Sequence, residues 1–103
     1  MDASSATPGP FRWELEKNLK LQVERHVSFE LVVAAIESNQ LLAIVPHPKQ
    51  EKYPGQQIFV VHLTNFRGET YVYSVPFVQA EDHVFLKTIY PSRKYKQIYE
   101  ANL

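Results

Sequence analysis

Four basic residues near the end of the chain are the side chains best suited to binding an anion. Arg93 and Lys94 directly follow Ser92, a good N-cap residue, so they open a predicted helix. Two cations there oppose the helix dipole at a cost of about 0.3–1 kcal/mol each when exposed, but they suit phosphate. Lys87 precedes them on a predicted strand, and Lys96 lies one helical turn further on. The pattern indicates a phosphate-binding segment. The alternative is a solvated basic helix, and residue types alone favour this alternative.

Tyrosines interleave with these cations over the same part of the chain. Aromatic rings stack on unpaired bases while neighbouring cations pair with phosphates, so the combination suits single-stranded RNA. Tyr90 lies between Lys87 and Arg93, and we expect it to take part in proton transfer or stacking. The alternative is that the tyrosines pack in the core. The set comprises Tyr71, Tyr73, Tyr90, Tyr95 and Tyr99.

His47 is a candidate catalytic group. It lies in a proline-rich loop beside Lys49 and Lys52, and an unperturbed imidazole can serve as a general base at neutral pH. An ordinary loop histidine is the alternative. The four histidines include no helical pair four residues apart and the chain has no cysteine, so the pattern predicts no metal site. Three widely spaced glycines exclude the glycine-rich nucleotide-binding motifs, and we expect no cofactor.

The composition is that of one small domain. The 103 residues are 45% hydrophobic and carry 11 basic and 11 acidic side chains, so no global attraction to nucleic acid or membrane is expected. Residues 1–10 combine small residues with two prolines, which predicts a flexible tail before a single domain at 11–103. Residues 1–10 have neither a basic nor an apolar segment, so we expect no secretory signal there, and no apolar run approaches the roughly 18 residues of a membrane span. With no cysteine, we expect a cytoplasmic location.

Two helices are predicted to precede the strands and to form an antiparallel hairpin. Residues 14–25 place Leu15, Leu19 and Val23 four apart, which predicts an apolar stripe facing the sheet. Ser28 is a good N-cap for the second helix. The predicted packing face of that helix comprises Phe29, Val32, Val33 and Ile36.

Four strands and a last helix complete the predicted fold. Hydrophobic alternation predicts strands over 41–45, 57–64, 69–78 and 83–90, and a helix over 93–101. Pro76 lacks an N–H, so it marks a strand end, a bulge or an edge. Short connections allow antiparallel pairing without crossover helices. The order predicts an α+β fold: two N-terminal helices, a four-stranded mainly antiparallel sheet and a C-terminal helix, with the helices on one face in two layers.

Several short motifs resemble those of the BrnT-type toxins. FRWELEK at 11–17 followed by VSFE at 27–30 is similar to the family's Phe-x-Trp-(Asp/Glu)-x-x-Lys and (Val/Ile)-Ser-Phe-Glu. PSRK at 91–94 resembles the start of the family's Arg-bearing last helix, and the resemblance covers about residues 11–100. The chain departs from the family's Lys-His-Gly pattern, because Arg25 stands where the family has His. Further similar segments are FLKTI at 85–89, EKYP at 51–54 and VPFV at 75–78.

The resemblance implies a RelE-like fold and a toxin that arrests growth by cleaving RNA without a metal. The implied partners are an RNA substrate and a ribbon-helix-helix antitoxin. DNA would be contacted only through the antitoxin, and no membrane partner is implied. Residue by residue, the resemblance carries over Arg93 of the last helix and Lys17 of the opening motif. Together with the residue pattern, the predicted catalytic set is Arg93, Lys87, Tyr90 and His47, and the predicted RNA- or phosphate-binding set is Lys94, Lys96, Lys17 and Arg25. One alternative keeps the fold without catalysis, as a module acting through its antitoxin; a weaker one is a solitary small-ligand-binding domain.

Overall fold

Three helices and one sheet make up the part of the chain that the computed structural model describes, residues 10–100. The predicted α+β class is confirmed. The predicted tail lies outside the described residues except for Pro10. The helices are α1 (Leu15–Arg25), α2 (Phe29–Glu37) and α3 (Arg93–Tyr99), and the strands are β1 (Phe11–Arg12), β2 (Leu41–Pro46), β3 (Gln57–Thr64), β4 (Thr70–Gln79), β5 (Val84–Leu86) and β6 (Tyr90–Pro91).

Two serines begin helices by capping free backbone N–H groups, as predicted. The Ser28 hydroxyl accepts a hydrogen bond from the Leu31 N–H at 3.2 Å and begins α2. The Ser92 hydroxyl accepts from the Tyr95 N–H at 3.1 Å and begins α3. Just beyond the end of α2, Asn39 adopts a left-handed conformation with a φ of 64°, which asparagine tolerates better than most residues. These caps explain why both helices begin where the sequence predicts.

The sheet has six strands in the order β1-β5-β4-β3-β2, with β6 also paired to β4. Strands β2 to β5 pair antiparallel, as predicted, and β1 adds a parallel strand beside β5. Two differences from the predicted four strands are the added β1 and the division of the predicted strand 83–90 into β5 and β6. Pro76 lies within β4, which is central, so it does not mark an edge.

The division between β5 and β6 lies opposite Pro76. The Lys87 N–H donates to the Pro76 carbonyl at 2.8 Å, which continues the β4–β5 ladder by one bond. Pro76 has no N–H to return that bond, so the pair is only half formed. The position on β4 that lacks an N–H lies beside the interruption between β5 and β6. This agrees with a bulge, one of the three features that the proline predicted.

The register confirms that this interruption is a one-residue bulge. Phe77 pairs with Leu86 on the β5 side, and Ser74 pairs with Tyr90 on the β6 side. Between these two pairs the β5–β6 segment has one residue more than β4. Unbroken alternation over 83–90 predicts that Tyr90 shares a face with Leu86 and that Ile89 lies on the face of Lys87. The extra residue reverses this, so Ile89 lies in the core and Tyr90 on the other face.

Helices cover both faces of the sheet, which corrects the predicted two-layer arrangement. The α1–α2 hairpin packs on one face, against a core that includes Phe59, Val75 and Phe77. On the opposite face, Tyr95 and Tyr99 of α3 pack against a smaller cluster. Side chains alternate between the faces of a strand, so β3 and β4 each contribute to both clusters. The smaller cluster is built on Ile58, Val60 and Val72.

The apolar stripe predicted to bury α1 faces solvent instead. Leu15, Leu19 and Val23 are 68%, 53% and 78% exposed, while Asn18 and Leu21 are buried. On its buried side, the Asn18 side-chain oxygen accepts a hydrogen bond from the Phe29 N–H at 2.8 Å, one of the free backbone donors at the start of α2. That bond and the burial of Leu21 hold α1 with the predicted stripe turned to solvent.

Candidate functional site

A pocket of about 420 Å³ lies beside the bulge, on the sheet face that α3 also covers. Three of the four predicted catalytic residues, His47, Lys87 and Tyr90, line it. Lys87 and Tyr90 share this face because the bulge changes the alternation between them. The remaining lining residues are Pro48, Lys49, Tyr53, Gln56, Pro76 and Thr88.

The loop that carries His47 is held by its own hydrogen bonds. The His47 N–H donates to the Gln56 carbonyl at 2.9 Å and closes the loop at its base. The Gln50 side-chain amide donates to the carbonyls of both residues, at 2.8 and 3.0 Å. Its amide oxygen accepts from the N–H of Gly55, whose φ of 78° favours glycine. The loop therefore presents His47 from an ordered backbone.

Contacts within the loop define which nitrogen of His47 can donate a proton. The Lys49 backbone N–H donates to Nδ1 of His47 at 3.1 Å, so the neutral imidazole carries its proton on Nε2. The ring also lies against Tyr53, with 4.5 Å between ring centroids. This arrangement suits His47 to donating a hydrogen bond from Nε2, a role different from the predicted general base.

The pocket is electropositive. Lys49 and Lys87 line it, and its lining contains no carboxylate among the described residues. The ammonium of Lys87 lies 5.6 Å from the ring centroid of Phe85, and that of Lys52 lies 5.5 Å from the ring centroid of Tyr53. Cations bordered by aromatic rings are suited to an anion attached to a flat, apolar group.

Tyr90 keeps its phenolic proton at neutral pH. Burial raises the pKa of Tyr90 above its usual value of about 10, with smaller contributions from nearby Tyr95 and Tyr53. The phenol therefore has its proton available to donate a hydrogen bond to a ligand in the pocket. A phenol, an imidazole N–H and two ammonium groups make the site rich in donors, which favours a phosphate ligand.

The other predicted cations of the last helix lie outside the pocket lining. Arg93 and Lys94 occupy the first turn of α3, three and four residues after Tyr90. Lys94 lies over the ring of its neighbour Tyr95, at 5.5 Å from the centroid. Lys96 pairs with the Glu100 carboxylate at 2.8 Å, and this contact raises the pKa of Lys96. Lys96 is thus already engaged in a structural ion pair.

Lys17 and Arg25 lie on α1, in the layer on the opposite side of the sheet from the pocket. The Arg25 guanidinium donates to the Ile89 carbonyl at 2.6 Å. Since Ile89 lies between two pocket residues, Thr88 and Tyr90, Arg25 supports the back of the bulge. The structure does not bring Lys17 or Arg25 together with the residues of the pocket.

Sequence reasoning missed part of the pocket wall. Lys49 and Tyr53 were visible only as polar residues of a loop, and Thr88 only as part of a regular strand. The available signal was Pro76, because a proline inside a central strand requires a partner strand that bulges or ends. The same wall borders Ser74, whose buried hydroxyl has no hydrogen-bond partner within residues 10–100.

Comparison of the chain with family models, with curated proteins and with solved structures gives no match. Within residues 10–100, no helix is long and apolar enough to cross a membrane. In the same part of the chain, no three His, Asp or Glu side chains come together as a metal ligand set would.

Proposed function

We propose that this protein is a metal-independent endoribonuclease with a RelE-like fold, the toxin of a cytoplasmic toxin–antitoxin pair. The observation that carries the proposal is the convergence of His47, Lys87 and Tyr90 in one electropositive pocket. The motifs similar to BrnT-type toxins at both ends of residues 11–100 support the same conclusion. The pocket supplies what cleavage of a phosphodiester requires: proton donors, cations and an aromatic wall for a base.

In the proposed reaction, a ribose 2′-oxygen attacks the adjacent phosphorus and the bond from phosphorus to the 5′-oxygen breaks. The products are a 2′,3′-cyclic phosphate and a 5′-hydroxyl. Lys49 and Lys87 stabilise the negative charge that accumulates on the phosphoryl oxygens, and the Tyr90 hydroxyl donates a hydrogen bond to one of them. The Nε2–H of His47 donates a hydrogen bond to the leaving 5′-oxygen, which takes its proton from solvent, while the proton of the 2′-hydroxyl passes to solvent.

Arg93 and Lys94 extend the same cationic surface beyond the pocket. They follow Tyr90 closely in the chain, so an RNA strand seated in the pocket passes near the first turn of α3. We assign them to phosphate binding along the strand and not to the reacting phosphate. Lys96, paired with Glu100, contributes less.

Cleavage of a labelled single-stranded RNA by the purified protein tests the proposal. We expect His47→Gln, Lys87→Gln and Tyr90→Phe each to lower kcat/KM by about tenfold to a thousandfold, because each removes a donor to the reacting phosphate. Arg67→Gln, in the turn between β3 and β4, is the matched control and should retain activity. Products ending in 2′,3′-cyclic phosphate are expected, and undiminished cleavage by all three variants would exclude this site.

The alternative function is a RelE-like module without catalysis that acts through a ribbon-helix-helix antitoxin. The neutral net charge and the replacement of the family histidine by Arg25 favour it. Induction in a bacterial host without the neighbouring gene distinguishes the two. Growth arrest that Lys87→Gln relieves supports the ribonuclease, whereas harmless accumulation of folded protein supports the module.

A further inference from the structure

Helix α1 carries an apolar stripe on its solvent side. Leu15, Leu19 and Val23 are each more than half exposed, and their four-residue spacing aligns them along one side of the helix. Single exposed apolar residues are common, but an aligned set on one helix marks an interaction surface. Within residues 10–100 nothing covers the stripe, since α1 packs through Asn18 and Leu21 on its other side.

A further exposed apolar residue lies near the C-terminal end of the helix. The Phe66 N–H donates to the His26 carbonyl at 2.8 Å, which places Phe66 at the C-terminal end of α1. The Phe66 side chain is 56% exposed. The end of α1 that carries Val23 therefore lies near a second exposed apolar side chain.

The charges beside the stripe fit an antiparallel pair. Glu16 and Lys20 lie one turn apart on the same flank. Two antiparallel helices related by a two-fold axis present the same flank to each other, so Lys20 of each copy lies within about one turn of Glu16 of the other. The chain has no net charge, so two copies do not repel each other at long range.

We propose that two copies of this chain associate through α1, with the helices antiparallel. Leu19 lies at the two-fold axis, and Leu15 of each copy packs against Val23 of the other. The contact rests on one helix and one turn per copy, which is small for a stable complex, so the association is in the micromolar range. The interface lies on the side of the sheet opposite the pocket and does not depend on the proposed ribonuclease activity.

Sedimentation velocity of the full chain over a concentration series tests the association. We expect a monomer–dimer equilibrium whose dissociation constant rises about a hundredfold in Leu19→Gln, since symmetry places this side chain in the interface twice. Ile44→Gln is the control, because Ile44 is similarly exposed but lies on β2. A monomer at all concentrations, or equal association of wild type and Leu19→Gln, would overturn the proposal.

Cysteine substitution tests the geometry, because the chain contains no cysteine of its own. Under mild oxidation Leu19→Cys should form a disulfide-linked dimer efficiently, whereas Leu15→Cys alone and Val23→Cys alone should not. An equal mixture of the last two should form the mixed dimer. Ile44→Cys is the control, because it measures the rate of crosslinking by random collision of two copies. Crosslinking of Leu19→Cys no faster than Ile44→Cys would exclude the antiparallel pair.

Discussion

Ser74 is a buried polar residue that the fold itself does not require. Its hydroxyl is buried without a partner within residues 10–100, and it pairs in the sheet with Tyr90 of the pocket. An unsatisfied buried hydroxyl costs about 1–3 kcal/mol. We expect Ser74→Ala to leave the free energy of unfolding unchanged or to raise it by about 1 kcal/mol, measured by urea denaturation.

A second measurement separates a functional role for Ser74 from a neutral one. If its hydroxyl serves a bound ligand, Ser74→Ala weakens RNA binding although the fold is at least as stable. Ser28→Ala provides the contrast, because the Ser28 hydroxyl caps α2 and its loss should destabilise by about 0.5–2 kcal/mol. A marked loss of stability in Ser74→Ala would mean that its hydroxyl has a structural partner.

The contact between Asn18 and Glu30 makes stability depend on pH. The Asn18 amide donates to the Glu30 carboxylate at 2.8 Å and holds the pKa of Glu30 below its usual value of 4.5. Because the folded-state pKa is depressed, the contribution is present above the unfolded pKa and is lost as the pH falls through the folded one. Comparison of urea unfolding at pH 7 and pH 3 should show a weaker acid dependence in Glu30→Gln. Glu37→Gln, for which no such contact exists in the described structure, should behave as wild type.

At the scale of elements, α1 shows where periodicity fails as a guide. Helical periodicity correctly predicted both helices. It also correctly predicted the face that α2 packs on the core, with Phe29, Val32 and Ile36 buried and Val33 partly buried. The same periodicity selected the wrong side of α1, because the buried side carries the hydrogen bonds of Asn18 beside a single apolar residue, Leu21. Hydrophobic patterns do not encode such a bond, so the register of α1 was beyond sequence reasoning.

The two sides of α1 should differ sharply in their effect on stability. Leu21 is fully buried in the core, so Leu21→Ala should lower the free energy of unfolding by about 2–5 kcal/mol. Leu19 is half exposed, so Leu19→Ala should change the unfolding of the monomer by no more than about 0.5 kcal/mol. Chemical denaturation at low protein concentration checks both, and a large effect of Leu19→Ala there would contradict the observed rotation.

The bulge opposite Pro76 is the element-level feature on which the pocket depends. Sequence alternation predicted a regular strand through Tyr90, and only the proline indicated an interruption. Pro76→Val restores an N–H that faces Lys87 and favours a continuous ladder. We expect this variant to fold, to protect the new N–H at position 76 and the N–H of Ile89 from exchange, and to lose RNA cleavage as Tyr90 shifts. Unchanged exchange and full activity would show that the bulge does not need the proline.

For the whole molecule, neutrality limits how RNA can be bound. Equal numbers of acidic and basic residues provide no general attraction, so affinity must come from the cations around the pocket and the first turn of α3. Sequence reasoning identified most of those cations individually. It could not show that the His47 loop and the bulge meet at one end of the sheet, because that meeting depends on long-range strand pairing.

The salt dependence of RNA binding should therefore be shallow and attributable to named residues. On a single strand, the logarithm of the dissociation constant rises with the logarithm of salt concentration by about 0.7 per phosphate contact. Replacing Lys49 and Lys87 together by Gln should lower that slope by about 1.4, and Arg93→Gln by about 0.7. Fluorescence titration of a short RNA between low and physiological salt measures each slope, with Arg67→Gln as the control. A steep slope that none of these variants reduces would place the RNA on another surface, because counterion release is counted only where phosphates are bound.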